Sequence, residues 1–200
     1  MLPYSREMSD PSGRAPVVLE FGSYLLDVAT ASDVDHVEAA FLDPEIALWN
    51  PGPRRPGLTV RERAKLWVAD RAVWTDDHAS WVIRDRDATV IGQVSLHQID
   101  VHNAAAEVGY WLTPHGRGRG IGSAALITAT RFAFDSLGLA RVELFHAVQN
   151  DASCRLALRA GYLVEGTARQ SFVYGDGLRH DEHLHARLAT DPEPAPPVIR

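Results

Sequence analysis

The sequence is poor in the features that would tie it to a disulfide scaffold, a membrane or nucleic acid. Cys154 is the single cysteine among 200 residues, and one thiol cannot build a disulfide framework. A reducing, cytoplasmic setting is therefore expected. No stretch approaches the ~20 consecutive apolar residues of a membrane helix, and the first sixteen positions hold no apolar core of the kind a secretory leader carries. Positive charge is not in surplus either. Twenty Lys and Arg stand against 26 Asp and Glu, a formal net charge of −6, which argues against a broad basic face for nucleic acid. Neither nucleic acid nor membrane is expected as a partner.

What is present is close to average for a globular chain, with 46% hydrophobic and 23% charged positions. The length points to one domain, whose core can bury about 70% of the unfolded surface without disulfides or structural metals. Prolines gather at both ends: Pro3, Pro11 and Pro16, then Pro192, Pro194, Pro196 and Pro197. The expected organisation is a flexible tail over 1–16, a single domain over 17–189 and a proline-rich tail over 190–200.

The hydrophobic period changes several times. Val17–Glu20 and Tyr24–Val28 read as strands around Gly22. Ser32 and Asp35 resemble a helix-start capping box ahead of Val34, Val37 and Phe41 on one helical face. Asp43–Trp49 reads as a short helix stopped by the breakers of Asn50–Gly57, and Thr59 with Glu62 opens another that should end near Thr75. Ser80–Arg84, Val90–Ile99 and Ala106–Leu112 read as an antiparallel meander. Helix Ile121–Ser136, strand Arg141–Ala147, helix Ser153–Ala160, a strand over Leu163–Thr167 open to running onward, and a hairpin turning at Gly175–Gly177 follow, with Gly138 and Gly161 at expected helix ends. This order predicts a mixed α/β fold with a mostly antiparallel sheet of about seven strands.

The most informative segment is Thr113–Ser123, TPHGRGRGIGS, between a strand and a helix. Its alternating glycines let successive N–H groups approach one anion, and the helix that follows adds its unpaired N–H groups and the positive end of its dipole. It reads as a phosphate loop. The lysine and spacing of a nucleoside-triphosphate loop are absent, and Gly118-Arg119-Gly120-Ile121-Gly122 departs from a dinucleotide fingerprint.

Arg117-x-x-Gly120-x-Gly122 resembles the pyrophosphate-binding signature of the GNAT superfamily of N-acetyltransferases. Downstream, Asn150-x-x-Ser153, Leu156 and Gly161-Tyr162 are similar to the family's second motif. The strand Glu107-Val108-Gly109-Tyr110-Trp111-Leu112 resembles that of the branch acetylating ribosomal-protein N-termini (RimJ/RimL-like, ribosomal-protein-alanine N-acetyltransferases), which also includes antibiotic and polyamine acetyltransferases. The resemblance spans about Leu25–Leu188. It implies a sheet splayed at its middle and acetyl-CoA as co-substrate. It further implies pantetheine against the backbone of Leu112 and Thr113, and pyrophosphate on Arg117, Gly118, Arg119, Gly120, Ile121, Gly122 and Ser123. Asn150 is implied at the pantetheine and Arg155 at a coenzyme phosphate, and family habit implies a homodimer.

Acetyl transfer needs a neutral amine, a polarised thioester and a proton for the leaving thiolate. Neutralising a lysine amine near pKa 10.4 at pH 7.4 costs roughly 4 kcal/mol, against under ~1 kcal/mol for an α-amine near 8. An N-terminal peptide thus needs a weaker base than a polyamine or an aminoglycoside. Glu107 is the candidate base, or else a carboxylate facing solvent or an arginine. Ser153 is the candidate acid, or the N-cap of its helix. Asn150 binds pantetheine or simply ends its strand. His183 and His185 alternate onto one face near His180, but no further ligand is visible along the chain and no metal is expected. Cys154 reads as a buried helix residue. Trp49, Trp67 and Trp74 read as core or as an acceptor platform. Rival readings are a bulkier donor such as succinyl-CoA, met by Arg54 and Arg55, and a CoA-binding sensor without catalysis.

Overall fold

The computed structural model describes residues 14–52 and 57–199. Most of the N-terminal tail, and Arg54 and Arg55 within the breaker-rich segment, lie outside the described residues. Strands β1 (Leu19–Phe21) and β2 (Tyr24–Asp27) form a hairpin at Gly22. Helices α1 (Val34–Phe41), α2 (Pro44–Trp49) and α3 (Val60–Arg71) follow, then the meander β3 (His78–Arg84), β4 (Val90–Asp100) and β5 (Ala105–Leu112). The second half runs α4 (Ile121–Asp135), β6 (Arg141–Ala147), α5 (Asp151–Arg159), β7 (Leu163–Val173) and β8 (Arg179–Leu188).

All eight strands join one sheet in the order β1-β2-β3-β4-β5-β6-β8-β7. The class is the expected one, with one strand more than seven. Every pair is antiparallel except β5 with β6. That parallel step requires a crossover, which α4 supplies. Its ladder is three residues long, Ala105 with Arg141, Ala106 with Val142 and Glu107 with Glu143. Beyond Glu107 the two strands separate, and the sheet opens into a V.

One face of the sheet packs on α4, where Trp74, Trp81 and Phe132 stack edge to face and Leu126, Ile127 and Ala133 are buried. On the other face, Val82, Val90 and Trp111 pack against Val37, Ile46, Ala64 and Val68 of α1–α3. The capping box before α1 lies two residues earlier than the sequence suggests. The Asp33 carboxylate accepts the Thr30 N–H at 2.7 Å and takes both terminal nitrogens of the buried Arg84 at 2.7 and 2.8 Å. Asp27 takes Arg84 Nε at 2.7 Å, so this cluster pins the β2–α1 connection to β3. Helix α3 stops at Arg71 rather than near Thr75, because Trp74 turns inward and donates its indole N–H to Ser80 O at 2.9 Å.

The proline-rich segment after β8 forms neither helix nor strand but is held in place. Glu193 pairs with Arg131 of α4 and with the buried Arg187 of β8, and Ile199 packs on the main core.

Candidate active site

The opening between β5 and β6 is a cavity of about 490 Å³, lined by Val108–Leu112 on one side and Leu144–His146 on the other. The glycine loop and α4 close one end, the first turns of α5 form a wall, and Trp49 of α2 with Tyr174 after β7 stands at the far side. This is the site the sequence motifs point to.

The loop leaves β5 through Thr113 and a short 3-10 turn, Pro114–Gly116. Gly118 and Gly120 have φ of 73° and 80°, in the left-handed region where a side chain is strained. A Cβ on Gly120 would also fall 2.4 Å from the carbonyl oxygen of Val198, where the proline-rich segment returns to the loop. Gly120 is the N-cap of α4, and among the described residues no side chain caps the helix. The first-turn N–H groups from Ile121 through Ser123 are thus presented by geometry that suits an anion. Gly122 lets α5 approach, since a Cβ there would lie 2.6 Å from Leu156 Cδ1.

The arginines of the loop are engaged within the chain. Arg117 meets Asp43 at 2.5 Å and Glu45 at 3.0 Å, both at the start of α2, and donates from Nε to Leu112 O at 3.1 Å. Burial works against ionisation of Asp43, but the Arg117 bond and the N–H of Ile46 outweigh it and hold the carboxyl below its ordinary range. Arg119 reaches the Tyr24 hydroxyl at 3.0 Å. The backbone expected at pantetheine is also in use: Leu112 O accepts Arg117, and the Thr113 N–H donates to Ile91 O at 3.0 Å. Free edge for an extended ligand is instead found along β5 between Glu107 and Leu112, where pairing with β6 has ceased.

In the opposite wall, Asn150 rather than Ser153 caps α5, its Oδ1 accepting the Ser153 N–H at 3.1 Å. The Ser153 hydroxyl is thereby left for another partner, the Tyr110 hydroxyl at 2.7 Å. Burial pushes the Tyr110 phenol well above its usual value, so it is a neutral hydroxyl at any physiological pH. Arg155 and Arg159, one turn apart, both line the cavity. Tyr110 and Arg159 were not singled out from sequence. Tyr110 lies within the recognised strand, and only the packing of α5 across β5 reveals its partner.

Glu107 does not line the cavity. It sits at the closed apex of the V, 3.5 Å from His97 Nε2, on the face of β5 shared with Gly109. The three tryptophans divide: Trp74 is core, Trp67 packs on Phe41 and Trp111, and Trp49 faces the cavity and meets Tyr174 edge to face at 5.5 Å. The β7–β8 turn is locked against α2 by Gly175, whose N–H donates to Leu48 O at 2.9 Å. Tyr174 and Ser171 both donate to the buried Glu182, at 2.8 and 2.7 Å. His180 turns away from the other histidines to Asp176 at 2.8 Å. Cys154 is half-buried, with its sulfur 3.8 Å from His185 Nε2, an approach that the linear sequence does not show.

Residues 24–163 match the family model described as the acetyltransferase (GNAT) domain. The chain belongs to the GNAT acetyltransferase family. It is 40% identical over 95 residues to YdaF of Bacillus subtilis (strain 168), whose name assigns it provisionally to the ribosomal N-acetyltransferases. That match takes in 48% of this chain and 51% of YdaF. It is 34% identical over 103 residues to the ribosomal-protein-serine acetyltransferase of Escherichia coli (strain K12), covering 52% of this chain and 57% of the relative. These matches thus span about half the length of either relative. Among solved structures, RimJ of Mycobacterium smegmatis in complex with CoA-disulfide superposes with a TM-score of 0.71 at 20% identity, over 85% of each chain. The fold expected from the glycine loop and its flanking strand is the fold of this family. Among the described residues no helix is long and apolar enough to cross a membrane.

Proposed function

We propose that this GNAT protein transfers an acetyl group from acetyl-CoA to a primary amine by direct attack. The observation that carries the reading is the gap between β5 and β6. It has a helix N-terminus with no side-chain cap among the described residues, on a glycine loop at one end, and a part-buried hydroxyl pair, Tyr110–Ser153, in its wall. The pyrophosphate of acetyl-CoA is assigned to the loop and α4 (Arg117, Gly118, Arg119, Gly120, Ile121, Gly122, Ser123). Its pantetheine amides are assigned to the β5 edge, and its remaining phosphate to Arg155. The amine nitrogen bonds to the thioester carbon and loses a proton, and the C–S bond breaks. The sulfur takes a proton from Ser153 as Ser153 takes one from Tyr110, and the Tyr110 phenol regains its proton from solvent as CoA leaves the cavity. Glu107, at the apex, is assigned as base through an intervening water. Trp49 and Tyr174 mark the acceptor side.

The acceptor class is a protein N-terminal amine, which needs little help to become neutral. Two relatives named for ribosomal-protein acetylation support it. The test is release of CoA thiol when purified protein meets acetyl-CoA or succinyl-CoA with N-terminal peptides, polyamines or aminoglycosides. Thiol release with acetyl-CoA and peptides is expected. CoA binding without turnover for any acceptor would convert the reading to that of a sensor.

A further inference from the structure

Three histidines and the single cysteine converge where β6, β8 and α5 meet. Strand pairing sets His146 opposite His183 and Leu144 opposite His185, so the three imidazoles share one face of two neighbouring strands. Helix α5 crosses that face and lowers Cys154 onto it. One nitrogen or sulfur from each of the four side chains lies within 4.8 Å of every other.

The hydrogen bonds decide what these atoms offer. His146 Nδ1 lies 2.8 Å from Ala147 O, and His185 Nδ1 lies 3.3 Å from Tyr162 O. A carbonyl can only accept, so both rings carry their proton on Nδ1 and present a bare lone pair at Nε2. Those two Nε2 atoms face each other at 3.0 Å. Two lone pairs at that distance repel unless a cation stands between them. Cys154 Sγ is 3.8 Å from the same His185 nitrogen, and His183 brings a buried Nδ1 with no hydrogen-bond partner among the described residues. A buried acceptor left unpaired is costly. Carbonyls that orient the imidazoles of metal ligands through their second nitrogen are a recurrent outer shell.

We propose that His146, Cys154, His183 and His185 hold one tetrahedral divalent cation of the zinc type. Tetrahedral bonds of about 2.0–2.1 Å to nitrogen and about 2.3 Å to sulfur put nitrogens roughly 3.3 Å apart and sulfur roughly 3.6 Å from nitrogen. The N···N distance of 3.0 Å and the S···N distance of 3.8 Å each lie within about 0.3 Å of those values. One thiolate with three imidazoles favours zinc over calcium or magnesium, which take oxygen. Binding exchanges the Cys154 thiol proton for the metal–sulfur bond and releases that proton to solvent. Four protein ligands leave no open position, so the ion is structural. It ties the first turn of α5, and with it Ser153, to β6 and β8. The sequence hid this because its four members are spread over forty residues and meet only through strand pairing.

The test uses the whole chain, stripped with a chelator, returned to buffer and titrated with cobalt(II) and then zinc. One equivalent of cobalt is expected to bind, with visible bands of tetrahedral intensity and a near-ultraviolet thiolate charge-transfer band, and one equivalent of zinc should displace it. Cys154→Ser should abolish the charge-transfer band and weaken zinc at least tenfold. His183→Asn should weaken zinc similarly, whereas the exposed His36→Asn should leave binding unchanged. Circular dichroism establishes that each variant is folded. Absence of a stoichiometric site in the wild type overturns the proposal, as does binding that survives both Cys154→Ser and His183→Asn. In the former case a shared proton joins His146 and His185. Neither readout depends on acetyl transfer.

Discussion

The hydroxyls of Tyr110 and Ser153 stand 2.7 Å apart and join β5 to the first turn of α5 across the open part of the sheet. Because Asn150 caps α5, removing the Ser153 hydroxyl leaves the helix start intact. Ser153→Ala and Tyr110→Phe should therefore each lower kcat by about 10- to 100-fold, with KM for acetyl-CoA changed by less than about threefold. The double variant should fall well short of the product of the two. Thiol-release kinetics and a thermal melt on the same samples check this; independent effects would separate the two roles.

Glu107 at the apex of the V is the assigned base, with His97 as its neighbour. Glu107→Gln should depress turnover at neutral pH and move the pH–rate profile. A profile identical to wild type makes Glu107 a structural carboxylate and moves the search to the cavity wall.

Arg117 couples the glycine loop to the cap of α2 through Asp43. Arg117→Ala should weaken CoA about tenfold by calorimetry, with the difference shrinking as salt rises. Asp43→Ala should cost about 1 kcal/mol through the lost cap, a fall of about 2–4 °C in melting temperature.

Arg187 is almost fully buried, with Nε and Nη1 lacking hydrogen-bond partners among the described residues and Nη2 meeting Glu193 at 3.0 Å. Glu193→Gln should destabilise by about 1 kcal/mol, moderated because Glu193 is half-exposed. Arg187→Met, which removes the buried charge, should be neutral or stabilising in urea denaturation. A large loss on Arg187→Met would show that its other nitrogens are satisfied in solution.

His78 is held at about 4, below its ordinary 6.5, first by burial and then by the adjacent Arg71 guanidinium. The unfolded chain therefore takes up a proton before the folded one does. The stability contribution is full above about pH 6.5, is lost as pH falls toward about 4, and is flat below. His78→Gln should flatten that part of the stability–pH curve by up to about 3 kcal/mol.

Sequence made the order of elements legible wherever a signal is local: the glycine loop, the Thr59–Glu62 box, and the breakers after Trp49. It mislaid features set by tertiary partners. Asp33 became a cap because Arg84 arrives from β3, and Trp74 ended α3 early by seeking Ser80 O. Within β7, which continues past Thr167 to Val173 as the sequence allowed, the irregular register near Gln170 has a φ of 47° that no periodicity announces. In the site, the loop and Asn150–Ser153 were legible as spacing. Tyr110 beside Ser153, and Cys154 beside His185, depend on how a helix crosses a sheet.

The three-residue ladder between β5 and β6 also makes the sheet uneven in cooperativity. The β3-β4-β5 meander and the β6-β8-β7 leaf each carry ladders longer than the three residue pairs that unite them. Opening along that seam breaks little, so its free energy lies below that of global unfolding. Amides flanking the gap should exchange with solvent early, and a ligand bridging both edges would raise their protection toward that of the interior strands. The molecule would then be most rigid only while it is loaded.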